Sequence, residues 1–217
     1  MNRYVKIDDG SFDEFKTWDF TTLQWFSRPY EYWAMVEFLK SQGQNIQVLD
    51  AACGFKTPGY LMCAELDNVK AVTALDLGKG YAKSFLNNGI DHSKVKKVLG
   101  DLTKWESANT FDVIVCISSL EHIKKYKKAI QKMYNSLKFG GHLFITFDIS
   151  RDGKRNKFLA NSKLQPVDYK IAFEEVGFQL IGEFNDKLDE KSISGTNTKY
   201  GPSIHENLNC FKFLLKK

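Results

Sequence analysis

The sequence predicts an α/β fold: a seven-stranded, mostly parallel sheet with helices on both faces and its last strand antiparallel. Three observations carry this. Between residues 47 and 176, apolar runs of strand length alternate with stretches of helical period, the pattern of strand–crossover–strand units. One run, Phe111–Ile117 (FDVIVCI), is almost unbroken in its apolarity, as a parallel strand covered on both faces requires. Finally, no helical stretch separates the apolar runs 178–184 and 208–215, so the last strand lacks a crossover and should reverse against its neighbour.

Residues 1–27 mix aromatics with acids and threonines without a sustained period, and are expected to form short helices or a lid. Over 29–42, Tyr30, Trp33, Ala34, Val36 and Leu39 recur at helical spacing, with Gly43 as the stop. The chain therefore divides into an N-terminal helical cap, 1–43, and a main domain, 44–217. Strand 47–51 leads through Ala51-Ala52-Cys53-Gly54 into a helix over 58–65, with Thr57 as N-cap and Pro58 at its first position. Val69–Asp76 is the second strand and 95–98 the third. After Phe111–Ile117, Ser118 and Glu121 fit a capping box for a helix running through Ile123, Tyr126, Ile130 and Met133 to a stop at Gly140. Strand 141–148, helix Pro166–Val176 with its Gly177 stop, and the last two strands complete the order.

A chain of 217 residues with 43% hydrophobic content can bury a full core. No apolar run approaches the roughly 18 residues a membrane helix needs, and the first residues do not open a signal-peptide pattern, so a cytoplasmic protein is expected. The four cysteines form no C-x-x-C pair, which argues against a disulfide frame or a zinc site, and no structural metal is expected. The net charge of +5 leans toward acidic ligands. Lys124, Lys125, Lys127, Lys128 and Lys132 fall mostly on the side opposite the apolar residues, so they read as a solvated helix face and a nucleic-acid partner is not expected.

The chemistry-bearing stretch is residues 48–59. Small residues there let a ligand lie against the backbone, and the following helix start offers free amides to a carboxylate or phosphate. The stretch is neither G-x-G-x-x-G nor a phosphate loop. Asp76 ends the second strand 22 residues after Gly54, close to the interval of about 20 at which a carboxylate can accept from both hydroxyls of a ribose. Capping of the next helix is the competing role. Asp101 and Leu102 follow the third strand and could meet an adenine edge, or form a plain solvated turn.

This combination resembles the class I S-adenosylmethionine-dependent methyltransferases, from about residue 47 to the C-terminus. The resemblance implies a Rossmann-like seven-stranded sheet and the cofactor S-adenosyl-L-methionine lying across the first four strand ends. It implies that Asp50, Ala51, Ala52, Cys53 and Gly54 lie beside the methionine part, that Asp76 holds the ribose with Leu77 beside it, and that Asp101 and Leu102 face the adenine. Ser118 would lie near the cofactor's amino group and sulfonium. Leu120-Glu121-His122 is similar to a Leu-Glu-His sequence of small-molecule members, and Arg28 and Tyr32 resemble N-terminal segments that close over the cofactor. Two departures stand out, since Ala52 and Lys56 occupy positions where the family pattern has glycine.

His122 is the candidate base, because it follows the fourth strand at the ligand-facing end and an imidazole titrates near working pH; a histidine that merely packs or caps is the alternative. Segments 148–161 and 185–207 should overhang the site, making Arg151, Tyr200 and His205 candidate substrate contacts. The expected acceptor is a small polar metabolite, anionic if phosphorylated or sugar-linked, in the manner of methyltransferases accompanying bacterial surface-polysaccharide biosynthesis. An RNA methyltransferase and a cofactor-binding module without catalysis are the rival readings. A nicotinamide dehydrogenase is disfavoured by the missing glycine pattern and the reversed last strand.

Overall fold

A computed structural model describes residues 1–11, 27–54, 59–78, 85–86, 91–151, 159–194 and 207–217. Its described elements are β1 (Asn2–Tyr4), α1 (Arg28–Lys40), β2 (Ile46–Ala51), α2 (Gly59–Ala64), β3 (Val69–Asp76), β4 (Val95–Leu99), β5 (Phe111–Ile117), a 3-10 turn (Leu120–His122), α3 (Tyr126–Ser136), β6 (Leu137–Ser150), α4 (Pro166–Val176), β7 (Gln179–Leu180), β8 (Phe184–Asn185) and β9 (Leu208–Lys216). The strands form one sheet in the order β4-β3-β2-β5-β6-β9-β1-β8, with β7 also paired to β9.

From β4 to β6 every neighbouring pair is parallel, whereas β9 runs antiparallel to β6 over nine residue pairs, from His142–Lys216 to Ser150–Leu208. This is the mostly parallel α/β sheet with a reversed last strand that the sequence predicts. Chain order reverses direction between β2 and β5. Such a switch point leaves a crevice beyond the carboxyl ends of the strands, where open α/β sheets bind ligands.

Both faces are covered. Met35, Leu39, Tyr60 and Cys63 from α1 and α2 pack on Val48, Val72, Val113 and Val115. Ile130 and Met133 of α3, with Tyr169 and Phe173 of α4, pack on Leu49, Ile114, Phe147, Phe211 and Phe213. β5 is therefore buried on both sides, which is why its sequence is so uniformly apolar. All four cysteines are buried, unbridged thiols.

Three expectations are corrected. Asn2–Tyr4 is a strand rather than part of a helical lid, and it wedges between β9 and β8. Its Asn2 side chain explains the placement: Nδ2 donates to the Ile181 carbonyl at 3.0 Å, and Oδ1 accepts from the Leu214 amide at 2.7 Å. The sixth strand consequently splits. β7 stays on β9, Gly182 turns with φ of +79°, and β8 moves over to pair with β1. The sheet thus has nine strands among the described residues instead of seven.

The third correction concerns the segment after β5. Ser118 and Glu121 form no capping box, because Ser118 adopts φ of +38° and both side chains bond elsewhere. A 3-10 turn follows, and α3 begins only at Tyr126 and ends at Ser136, before Gly140. Gly140, with φ of +77°, lies instead inside the long strand β6. The expected cap at Thr57 and Pro58 lies outside the described residues, as do residues 79–84, where the helix that Asp76 could cap would begin.

Candidate functional site

An open cleft of about 390 Å³ sits at the switch point, lined by Ala52, Gly54, Asp76, Leu77, Gly100, Asp101, Leu102, Ser119, His122 and Ile123. Every one of these residues follows or ends one of the strands β2 to β5. Four segments far apart in sequence thus meet because their strands are neighbours.

The loop after β2 is held by Asp76. Its Oδ2 accepts from the Gly54 amide at 2.9 Å and its Oδ1 from the Gly78 amide at 2.8 Å. Ala52 and Gly54 both take left-handed backbone, with φ of +56° and +73°. Ala52 therefore adopts the conformation that glycine would adopt freely, at a cost of about 1 kcal/mol.

Asp101 turns its carboxylate back on its own turn, where Oδ1 accepts from the Thr103 amide at 2.9 Å and hydroxyl at 2.7 Å. Those bonds hold its pKa below the usual value. Asp101 Oδ2 faces Lys104 at 3.7 Å. The next residue, Leu102, has no acceptor for its amide among the described residues. Ala52, Leu77, Leu102 and Ile123 supply apolar walls, so this end of the cleft offers carboxylate acceptors, one open amide and flat apolar surface.

The remaining cofactor candidates lie behind this lining. Asp50, Ala51 and Cys53 are buried, and burial, aided by the nearby Asp76, pushes the Asp50 carboxyl up to about 8. Ser118 is buried as well, and its neighbour Ser119 takes the cleft-facing place, with Oγ donating to the Ala52 carbonyl at 2.9 Å. Arg28 and Tyr32 are on α1. Arg28 Nη1 bonds Glu31 Oε1 at 2.7 Å, and Nη2 reaches the Ser118 carbonyl at 3.5 Å.

Glu31 was not legible as a site residue, yet it organises this corner. Its Oε2 accepts from the hydroxyls of Ser118, at 2.7 Å, and Thr146. Burial alone would raise its pKa, but Arg28 and these hydroxyls outweigh burial and hold the carboxyl below its usual value. Glu121 behaves oppositely. Its side chain is buried with Oε1 accepting from the Asp148 amide at 3.0 Å, and burial pushes it up to about 8.

His122 reaches the cleft with its side chain 44% exposed, Nε2 lying 3.9 Å from Glu121 Oε1. Arg151, at the end of β6, is exposed and donates through Nε to Asn209 Oδ1 at 3.2 Å; it does not line the described cleft. Tyr200, His205 and Lys56 lie outside the described residues. Among the described residues no group of three or more histidine, cysteine or acidic side chains is arranged to hold a metal ion. No described helix is long and apolar enough to cross a membrane.

Residues 49–145 match the family model described as a methyltransferase domain. A ubiquinone biosynthesis O-methyltransferase of Pseudomonas entomophila is 29% identical over 112 residues, which are 50% of this chain and 46% of that protein. The chain thus aligns with about half the length of that curated relative. Among solved structures, the [4+2]-cyclase SpnF superposes with a TM-score of 0.59 at 16% identity, covering 88% of this chain and 81% of that one. A phosphoethanolamine N-methyltransferase 2 of Haemonchus contortus in complex with S-adenosyl-L-methionine superposes with a TM-score of 0.62 at 13% identity, covering 86% of this chain and 52% of that one. Residues 49–145, which carry every residue of the cleft lining, are thus the part of the chain that is similar to a methyltransferase domain, and the sheet around them has the fold of a solved methyltransferase bound to S-adenosyl-L-methionine.

Proposed function

We propose that the protein is an S-adenosylmethionine-dependent methyltransferase acting on a small polar metabolite. The observation that carries this reading is Asp76, whose two carboxylate oxygens order the Gly54 and Gly78 amides while facing the cleft. In that arrangement Asp76 receives the two ribose hydroxyls, Leu102 offers its amide to an adenine ring nitrogen, and Leu77 and Ile123 cover the base. Asp101 contributes through Oδ2 only, since Oδ1 is committed to Thr103. Asp50, Cys53 and Ser118 support the lining from behind.

The bound cofactor supplies an activated methyl group on a sulfonium. What remains for this chain is to align the acceptor, exclude water and remove a proton where the nucleophile is a hydroxyl. The kinship with a ubiquinone biosynthesis O-methyltransferase favours an oxygen nucleophile, and His122 is the described side chain in the cleft suited to take its proton. Arg151, Tyr200 and His205 are assigned to acceptor recognition, with sugar-linked and phosphorylated metabolites as the classes to screen first.

The fold alone does not decide the chemistry, as its sharing with a cyclase illustrates, so binding and transfer need separate tests. Calorimetric titration with S-adenosylmethionine and with NAD should give binding of the first alone. Incubation of a metabolite extract and of total RNA with methyl-labelled cofactor should then place label in small molecules. Label in RNA would replace the acceptor assignment, binding without transfer would leave a non-catalytic module, and no binding would overturn the reading.

A further inference from the structure

The turn that carries His122 is fastened from outside by one short segment. Asn161 Nδ2 donates to the carbonyl of Ile123 at 2.9 Å and to that of Leu120 at 3.4 Å. The backbone amides of Ala160 and Asn161 donate to the carbonyl of Glu121 at 2.9 and 3.2 Å. The three carbonyls flanking His122 are thereby all engaged by two adjacent residues that follow β6. Inside the turn, the His122 amide bonds the Ser119 carbonyl, at 3.1 Å, and the Ile123 amide the Leu120 carbonyl, at 3.1 Å. A three-residue 3-10 turn has poor intrinsic stability, so its geometry depends on such outside partners.

We infer that Asn161 is a positioning residue for His122, fixing the backbone on both sides of the imidazole so that the ring stays aimed into the cleft. The inference rests on the methyltransferase reading for its kinetic consequence, though not for its geometric one. Asn161 itself is absent from the cleft lining, and its side chain bonds main-chain carbonyls and the buried Tyr169 rather than a ligand. The fork of two N–H donors suits two carbonyls three residues apart in the chain. A carboxylate of the same shape would repel both oxygens. The same contact joins the segment after β6, expected to border the acceptor, to the residue expected to act on it, so a change in one is felt at the other.

The test compares Asn161→Asp and the milder Asn161→Ser, each alone and combined with His122→Ala, in the full chain. Cofactor affinity is read by calorimetry and folding by thermal melting. With the cofactor Kd within about twofold of wild type, turnover at saturating substrates is expected to fall by about tenfold to a hundredfold, as displacement of a reacting group does. In the His122→Ala background the Asn161 substitutions should add no further loss. Full turnover in both single variants, or an undiminished loss in the His122→Ala background, overturns the inference. If no transfer is found for the wild type, the His122 ring signals in nitrogen-15 NMR decide the geometric claim. They should shift or broaden in Asn161→Ser, and identical ring signals in folded protein refute the positioning role whatever becomes of the methyltransferase reading.

Discussion

The hydroxyl of Ser118 donates to Glu31 Oε2 at 2.7 Å, joining the strained residue after β5 to a helix that precedes the parallel strands β2 to β6. Because Arg28 pairs with the same carboxylate at 2.7 Å and both side chains are shielded from water, removing Glu31 takes from a buried cation its nearest counter-charge. Glu31→Ala is therefore expected to destabilise by about 3–5 kcal/mol, which for a chain of this size lowers Tm by roughly 6–20 °C. The double substitution Arg28→Met with Glu31→Leu should recover most of that loss. Differential scanning calorimetry of the three variants checks both statements, and a Tm for Glu31→Ala near wild type would remove the network from the stability of this corner.

Asp76 is expected to matter twice, for the ligand and for the loop. Asp76→Ala loses the ribose acceptors and releases the Gly54 and Gly78 amides from the carboxylate that holds them. Hydrogen bonds to a charged group are worth about 1.5–3 kcal/mol each, so two of them predict a fall in cofactor affinity of about two to four orders of magnitude. Asp76→Asn keeps one acceptor and should fall in between. Calorimetric titration measures both, and unchanged affinity in Asp76→Ala would sink the ribose assignment.

Much of this architecture is legible from residue pattern alone, because its causes are local. β3, β5 and α4 begin and end where apolar period, Gly177 and Pro166 place them. Asp76, Leu102 and His122 share a cleft because each follows a parallel strand, and strand ends are readable. The unread part depends on partners distant in sequence. Asn2 becomes a strand residue only because carbonyls around residue 181 and the amide of Leu214 await its side chain. Ser118 and Glu121 carry a capping pattern, yet Glu31 and the Asp148 amide compete successfully for them. Nothing around Asn161 marks it as the clamp of a turn some 40 residues earlier.

Two buried carboxyls give the protein an unusual pH response. Asp50 and Glu121 are both pushed up to about 8, chiefly by burial, whereas in the unfolded chain they titrate near pH 4. Between about pH 4 and pH 8 the folded chain thus holds protons that the unfolded chain has released. Their contribution to stability is full below that window and is lost as pH rises through it. Tm is expected to decline from pH 5 to pH 8.5, and Asp50→Asn and Glu121→Gln should each flatten that decline. Parallel Tm curves for wild type and both variants would contradict the assignment.

Gly59 opens α2 directly against Asp50. A Cβ there would lie 2.8 Å from Asp50 Oδ2 and 3.3 Å from Tyr32 Cε1, and neither side chain has open space to move into, both being buried. Gly59→Ala should therefore destabilise by about 1–3 kcal/mol through overpacking. In an Asp50→Ala background the nearer clash disappears, so the same change should cost less. Denaturant titration of the four-variant cycle gives the difference, and equal costs in the two backgrounds would place the strain elsewhere.

His122 separates binding from chemistry. Its ring borders the cleft next to Ile123 and Ser119, whereas the carboxylates assigned to the nucleoside come from the strand ends of β3 and β4. His122→Ala should accordingly leave cofactor Kd within about twofold while lowering turnover by about 10²–10⁴, the range for loss of a general base. An acceptor nucleophile that needs no deprotonation would instead leave kcat nearly intact and shift only the acceptor KM. The split between kcat and KM in this one variant therefore decides whether the imidazole moves a proton or only orients the acceptor.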